Sequence, residues 1–257
     1  MAPKRKFRVW RGQGTEGRFE EYEVAVDPGM VVLDVLHRIQ AERVNDLAVR
    51  WNCKAGKCGS CAMEINGKPK LSCMTRMDTF KGNEPITIQP MKTFDVIKDL
   101  VTDVRWNYEQ NKRIPNLKPK PRDPDGHYRM AQKSIDRIQE FRKCIECFLC
   151  QDVCHVLRDQ DKKDKFVGPR FMHRLANLEM HPLDTVDRIP AIRRDFGSGM
   201  CNITKCCSEV CPESIAITDN AIIPLKERVV SRYYDPVLWI LRKIFGPKKT
   251  KSCGCSK

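Results

Sequence analysis

Three cysteine-rich segments, far apart in the chain, restrict its fold more than any other feature. Cys53, Cys58, Cys61 and Cys73 are spaced C-x4-C-x2-C with a distant fourth member. Cys144, Cys147, Cys150 and Cys154 are spaced C-x2-C-x2-C-x3-C, and Cys201, Cys207 and Cys211 repeat those intervals with Thr204 where the second cysteine would stand. Fourteen cysteines in 257 residues exceed what cores use as small apolar side chains. The opening MAPKRKFRVW carries charges into a strand-like pattern without the apolar core of a secretory signal, so a reducing cytoplasm is expected. There, clustered thiolates are metal ligands before they are disulfides.

The first spacing is that of a plant-type [2Fe–2S] site, with Gly56 and Gly59 free to turn backbone amides toward sulfur. Zinc, the competing metal, favours C-x2-C pairs, which a four-residue gap does not supply. The second is the bacterial ferredoxin run, whose fourth cysteine serves the other cluster of a pair. Cys144, Cys147, Cys150 and Cys211 therefore form a [4Fe–4S] ligand set, while Cys154, Cys201 and Cys207 form a three-thiolate set suited to a [3Fe–4S] cluster lacking the iron opposite Thr204. Cys206 is an alternative fourth thiolate, or a small buried hydrophobe.

The organisation is α+β. Residues 1–108 read as a [2Fe–2S] domain with strands at KFRVW, YEVAV, CAMEI, KLSCM and PITIQP, and a helix at VVLDVLHRIQ burying Val32, Leu33, Leu36 and Ile39. Gly12, Gly14 and Gly17 spell G-x-G-x-x-G but lead into a strand, so they mark a hairpin and not a dinucleotide site. Phe94, Ile97, Val101, Val104 and Tyr108 have helical spacing and predict a helix there. Residues 109–130, with Pro115, Pro119, Pro121 and Pro124, predict an extended linker, and 131–232 a helical domain holding the other two clusters. In the tail, 233–257, DPVLWILRKIFGP predicts a short amphipathic helix lying on a membrane or on a membrane subunit; Cys253 and Cys255 beyond it belong to no ligand set above.

A net charge of +14 suits nucleic acid, an anionic membrane surface or an acidic protein. Lysine and arginine are dispersed and not interleaved with aromatics along one element, so no nucleic-acid partner is expected. No apolar stretch approaches the roughly 20 residues that cross a bilayer.

CGSCAMEINGKPKLSC, CIECFLCQDVC, FVGPRFM and CPESIAITDNAIIPLK together resemble the iron–sulfur subunit of the succinate dehydrogenase and fumarate reductase family over nearly the whole chain. The resemblance implies a β-grasp ferredoxin domain followed by an all-α bacterial-ferredoxin-like domain, and clusters in the order [2Fe–2S], [4Fe–4S], [3Fe–4S]. It also implies a flavoprotein partner whose FAD oxidises succinate, one or more integral-membrane anchor subunits, a quinone acceptor, and a peripheral position on the cytoplasmic face of the membrane. Two positions depart from the family pattern: His155-Val156-Leu157 follows Cys154 where Pro and aromatics are usual, and Asn202 follows Cys201 where His is usual. His155 is the candidate quinone contact, with a surface or packing histidine as the plainer alternative. An iron–sulfur subunit of another flavin dehydrogenase or of a disulfide-reducing complex is the alternative function.

Overall fold

The computed structural model describes residues 2–237 and residue 240. Alternation of apolar and polar residues builds an antiparallel hairpin from β1 (Lys4–Gln13) and β2 (Glu16–Ala25), paired from Lys4 with Ala25 to Gln13 with Glu16. β1 turns Phe7 and Val9 inward against α1 (Val32–Glu42), which presents Val32, Val35, Leu36 and Ile39 on one face. The first turn of α1 is held by Asp34, whose carboxylate accepts from the Val31 amide at 3.0 Å. β3 (Ala62–Ile65) and β4 (Lys68–Leu71) form a second hairpin around Asn66 and Gly67, both left-handed as a two-residue turn demands. β5 (Ile86–Gln89) runs parallel to β1 and antiparallel to β3, closing a sheet of order β2-β1-β5-β3-β4.

The helix expected over Phe94–Tyr108 does not form. The segment is a second small ladder, β6 (Val96–Lys98) with β7 (Val101–Thr102), and a helix, α2, begins only at Arg105 and runs to Arg113. Long-range bonding overrides the helical spacing. Asp99, in the turn between β6 and β7, is 2 % exposed and accepts from the Gly12 amide at 3.0 Å, the Ala48 amide at 2.8 Å and Arg11 Nε at 3.1 Å. Gly12 meets this turn from the other side, its carbonyl accepting from the Asp99 amide at 2.8 Å.

After α2 the chain is extended, as its prolines require, yet it is strapped to the helical unit beyond it. The fully buried Arg188 pairs with Asp184 at 2.7 Å and donates to the carbonyls of Pro115 and Asn116. Then come α3 (Gln132–Gln139), a 3₁₀ turn at Glu140–Lys143, α4 (Leu149–Asp152), α5 (His155–Arg158) and α6 (Pro169–Glu179), with Pro169 in the first turn of α6. α7 (Ile189–Arg194), a 3₁₀ turn at Ser198–Met200, α8 (Cys206–Glu209), a π-helical turn at Ile217–Ile222 and α9 (Ile223–Tyr233) complete the unit. Apart from its first residues, the expected tail helix lies outside the described residues, as do Cys253 and Cys255.

One apolar core runs from Leu33, Leu71, Met91 and Phe94 in the sheet unit to Phe141, Phe148, Leu149 and Phe171 in the helical unit. At its edge Glu64 of β3 is wholly buried, its Oε1 2.9 Å from Arg158 Nη1 of α5, and beside it the Thr93 amide donates to the Asp152 carboxylate at 3.1 Å. Arg158→Ala leaves Oε1 of the buried Glu64 without its cation, while Oε2 keeps Gln89 and the more distant Lys92 at 3.9 Å, and we expect a destabilisation of about 3 kcal/mol. Limited proteolysis and thermal unfolding check this: faster cleavage between the units is expected, and the double variant Glu64→Leu/Arg158→Met should recover most of the loss.

Candidate functional site

The loop between α1 and β3 is bent by three left-handed residues, Lys54, Gly56 and Gly59. These turns aim the Ala55 and Lys57 amides at Cys53 Sγ, each at 3.3 Å. The Gly56 amide faces Cys73, and the amide and hydroxyl of Ser60 face Cys58. Burial works against ionisation of Cys58, but Ser60 and Cys53 outweigh it and bring the thiol down to about 6. Cys58 lies in hydrogen-bond contact with Cys53, and Cys61 with Cys73, so all four cysteines of the first set meet at the end of the sheet. Cys53 is exposed and Cys61 and Cys73 are buried, so this group has one wet side.

The two later runs are backbone repeats of each other. In the first, a 3₁₀ turn leads to Cys144, Glu146 and Phe148 are left-handed, α4 follows, and Cys154 comes just after it. In the second, a 3₁₀ turn leads to Cys201, Ile203 and Lys205 are left-handed, α8 follows, and Cys211 comes just after it. Thr204 thus has the backbone position of Cys147, and Cys206 that of Leu149. The loop winds as if for a cluster even where the second sulfur is missing.

Cys144, Cys147, Cys150 and Cys211 ring a small cavity also lined by Arg170, His173, Ile215 and Ile217. Burial pushes the Cys147 thiol up to about 12 and Cys150 well above its ordinary range. Such thiols ionise only with strong positive charge among them, which the irons of a cluster supply. Among the described residues no three His, Cys, Asp or Glu side chains converge on a single-ion site. Arg170, 5 % exposed, lies within electrostatic reach of Cys144 and Cys150 and is paired with Glu146.

The third group brings Cys201 and Cys206 within electrostatic reach of both Cys154 and Cys207. Burial holds Cys154 up to about 12 and Cys207 up to about 11. Cys206 Sγ is 3.3 Å from the Thr204 hydroxyl. Lys226 of α9 donates to the Cys201 carbonyl at 2.6 Å and brings a cation to the group. His155 opens α5, half-buried, with its Nε2 buried and unbonded. Lys226 and Arg170 gave no signal in the sequence, because each reaches its cysteines through the tertiary fold.

The three groups neighbour one another in chain order. A Cβ built on Gly59 would lie 2.6 Å from Cys147 Cα and 2.9 Å from its amide nitrogen, so the first loop touches the second directly. Cys150 is in turn within electrostatic reach of Cys207.

Residues 6–109 match the family described as 2Fe-2S iron-sulfur cluster binding domain, and residues 140–215 the family described as 4Fe-4S dicluster domain. The chain is therefore a multi-cluster iron–sulfur protein. It is 34% identical over 209 residues to the fumarate reductase iron-sulfur subunit of Mycobacterium tuberculosis, covering 77% of this chain and 80% of that one. A chain of the Mycobacterium smegmatis Sdh1 complex in the apo form superposes with a TM-score of 0.89 at 59% identity, covering 92% of this chain and 100% of that one. An uncharacterized iron-sulfur protein of Methanococcus maripaludis is 34% identical over 232 residues, 86% of this chain; our chain spans 43% of its length. The chain belongs to the succinate dehydrogenase and fumarate reductase iron–sulfur subunits, the electron-transfer subunits of an oxidoreductase complex.

Gly59→Ala introduces a side chain at φ +70, costing about 1–2 kcal/mol, and drives its Cβ into the Cys147 backbone. Gly67→Ala, at φ +72 with open space around it, carries only the conformational cost. We expect Gly59→Ala alone to weaken the magnetic coupling between neighbouring reduced clusters in electron paramagnetic resonance, or to lower bound iron. His173 gives a pH test. Burial, then Arg170, pushes its imidazole down to about 3. Its unfolded value is about 6.5, so below that pH the unfolded chain takes up a proton the native chain refuses. Stability is unaffected above pH about 6.5 and lost as pH falls toward 3, at up to about 1.4 kcal/mol per unit. Acid-induced bleaching of the visible absorption between pH 7 and 5 should be less steep in His173→Gln.

Proposed function

We propose that this chain carries electrons between the FAD of a flavoprotein subunit, where succinate is oxidised or fumarate reduced, and a quinone at one or more integral-membrane anchor subunits. The finer fold assignment is a β-grasp plant-type ferredoxin domain over 1–108, a linker over 109–130, a bacterial-ferredoxin-like helical domain over 131–232 and a basic tail over 233–257. Cys53, Cys58, Cys61 and Cys73 hold a [2Fe–2S] cluster, Cys144, Cys147, Cys150 and Cys211 a [4Fe–4S] cluster, and Cys154, Cys201 and Cys207 a [3Fe–4S] cluster. When bound, these clusters supply one-electron redox steps, which joins a two-electron flavin to a quinone.

The observation that carries the reading is the direct approach of the Gly59 loop to Cys147, with Cys150 in turn within electrostatic reach of Cys207. A chain built only to bind metal has no reason to set its sites so near one another. The protein's part is to orient the thiolates, aim amides at sulfur and keep Cys150, Cys154 and Cys207 out of water, while the exposed side at Cys53 suits the flavoprotein. Thr204, at the backbone position of Cys147, supports three thiolates and not four in the last site. His155, beside Cys154 with an unbonded Nε2, is the proposed quinone contact on this chain. Among the described residues no helix is long and apolar enough to cross a membrane; we assign a peripheral place on the cytoplasmic face, held by the anchor.

Succinate added to the assembled complex should bleach the visible cluster bands; no response would favour a different flavin dehydrogenase or a disulfide-reducing complex. The ligand assignment is tested by Thr204→Cys, which supplies the missing thiolate. The oxidised wild type should show the three-iron paramagnetic signal, and the variant should lose it while gaining a cluster of lower potential. Quinone reduction should then slow while succinate oxidation by an artificial flavin acceptor persists. A wild type without a three-iron signal overturns the assignment and makes Cys206 the fourth ligand.

A further inference from the structure

Cys207 is one of the two buried thiols in the set assigned to the last cluster, and its Sγ lies 3.3 Å from Thr218 Oγ1. Thr218 is 1 % exposed and stands in the π-helical turn Ile217–Ile222, a local widening of the helix of the kind that often marks a functional position. Its hydroxyl is oriented from α8. Ser208 Oγ accepts from the Thr218 amide at 3.0 Å and donates to Thr218 Oγ1 at 3.3 Å. Once Oγ1 has accepted from Ser208, its own proton faces Cys207 Sγ, and a ligating thiolate can only accept.

The repeat supplies an internal comparison. Cys150 has the backbone position of Cys207, and Gln151 that of Ser208. The Gln151 side chain turns away, donating to Asn107 Oδ1 at 3.2 Å and the Val167 carbonyl at 3.0 Å, and among the described residues no hydroxyl bonds Cys150. The donor is present in the second run and not in the first, on a sulfur of the set assigned to the last cluster.

We propose that Thr218, oriented by Ser208, raises the reduction potential of the last cluster through its hydroxyl hydrogen bond to Cys207. An added electron makes the cluster sulfurs more negative, so a fixed donor in a water-excluded site stabilises the reduced state more than the oxidised one. The bond thereby strengthens the final carrier as an acceptor. Thr218 is a positioning residue for potential, not a ligand. The inference rests on the proposed ligand set Cys154, Cys201 and Cys207.

The test is a redox titration of the oxidised three-iron paramagnetic signal in the membrane-bound complex, for wild type, Thr218→Val, Thr218→Ser and Ser208→Ala. Thr218→Val, close in shape but without the hydroxyl, should shift the midpoint to more negative potential at full signal amplitude. Thr218→Ser, which keeps the donor, should stay near wild type, and Ser208→Ala should shift in the same direction as Val by a smaller amount. An unmoved midpoint in Thr218→Val, or an equal fall in Thr218→Ser, overturns the proposal. If Thr218→Val fails to hold the cluster, Ser208→Ala decides: a negative shift supports the proposal and an unchanged midpoint overturns it. A wild type with no three-iron signal overturns the ligand assignment itself, a failure distinct from an intact signal whose midpoint does not move.

Discussion

A thiolate withdrawn from water carries a desolvation cost that no apolar neighbour offsets, and this chain withdraws several together. Cys147, Cys150, Cys154 and Cys207 are held in surroundings that push each thiol far above its ordinary range. The helical unit makes sense only with positive charge at the centre of each group. Its own cations stand further out: Arg170 is already paired with Glu146, and Lys226 is engaged by the carbonyls of Ser198 and Cys201. The backbone supplies the remaining compensation. Left-handed residues at Glu146, Phe148, Ile203 and Lys205 are unfavourable in themselves and recur at matching places in both runs. Their recurrence where Thr204 has replaced a cysteine indicates that winding of the loop, and not the count of sulfurs, is what the fold preserves.

The cysteine groups that the structure brings together were readable because their spacing is local: a loop that must present several sulfurs to one cluster has few permissible lengths. The strands β1 to β5 and the helix α1 were readable for a related reason, since apolar residues recur with the period of the element they form. The segment after Phe94 shows where this fails. Phe94, Ile97, Val101 and Val104 satisfy helical spacing as well as any true helix, but Asp99 finds its partners on Gly12, Arg11 and Ala48, dozens of residues away. Those bonds require a turn at Asp99, and period alone carries no information about them. Thr218 and Lys226 were unreadable likewise; each is an ordinary helical residue until the fold sets it beside a cysteine.

The sheet and helical units are less independent than their contrasting architectures suggest. They share one apolar core, a buried ion pair between Glu64 and Arg158, and a linker held down by Arg188. Gly59 permits the tightest of these approaches, at a position where any side chain would strike the Cys147 backbone. Distance between redox centres is thus fixed by packing at a few residues that are not ligands.

The cavity that brings Cys211 to Cys144, Cys147 and Cys150 has a consequence for biogenesis. The two later runs are interlaced, each lending its last cysteine to the group headed by the other. A nascent chain therefore cannot complete the group of Cys154, Cys201 and Cys207 before residue 207, or the group of Cys144, Cys147, Cys150 and Cys211 before residue 211, has been synthesised and the intervening helices have folded back. Loading of the inner metal centres is in this sense a late and joint event, whereas the first loop is complete as soon as β4 is followed by Cys73. On the proposed ligand sets damage to one run deprives both groups, and completion of the inner groups then reports on closure of the whole helical unit, as that of the first loop does not.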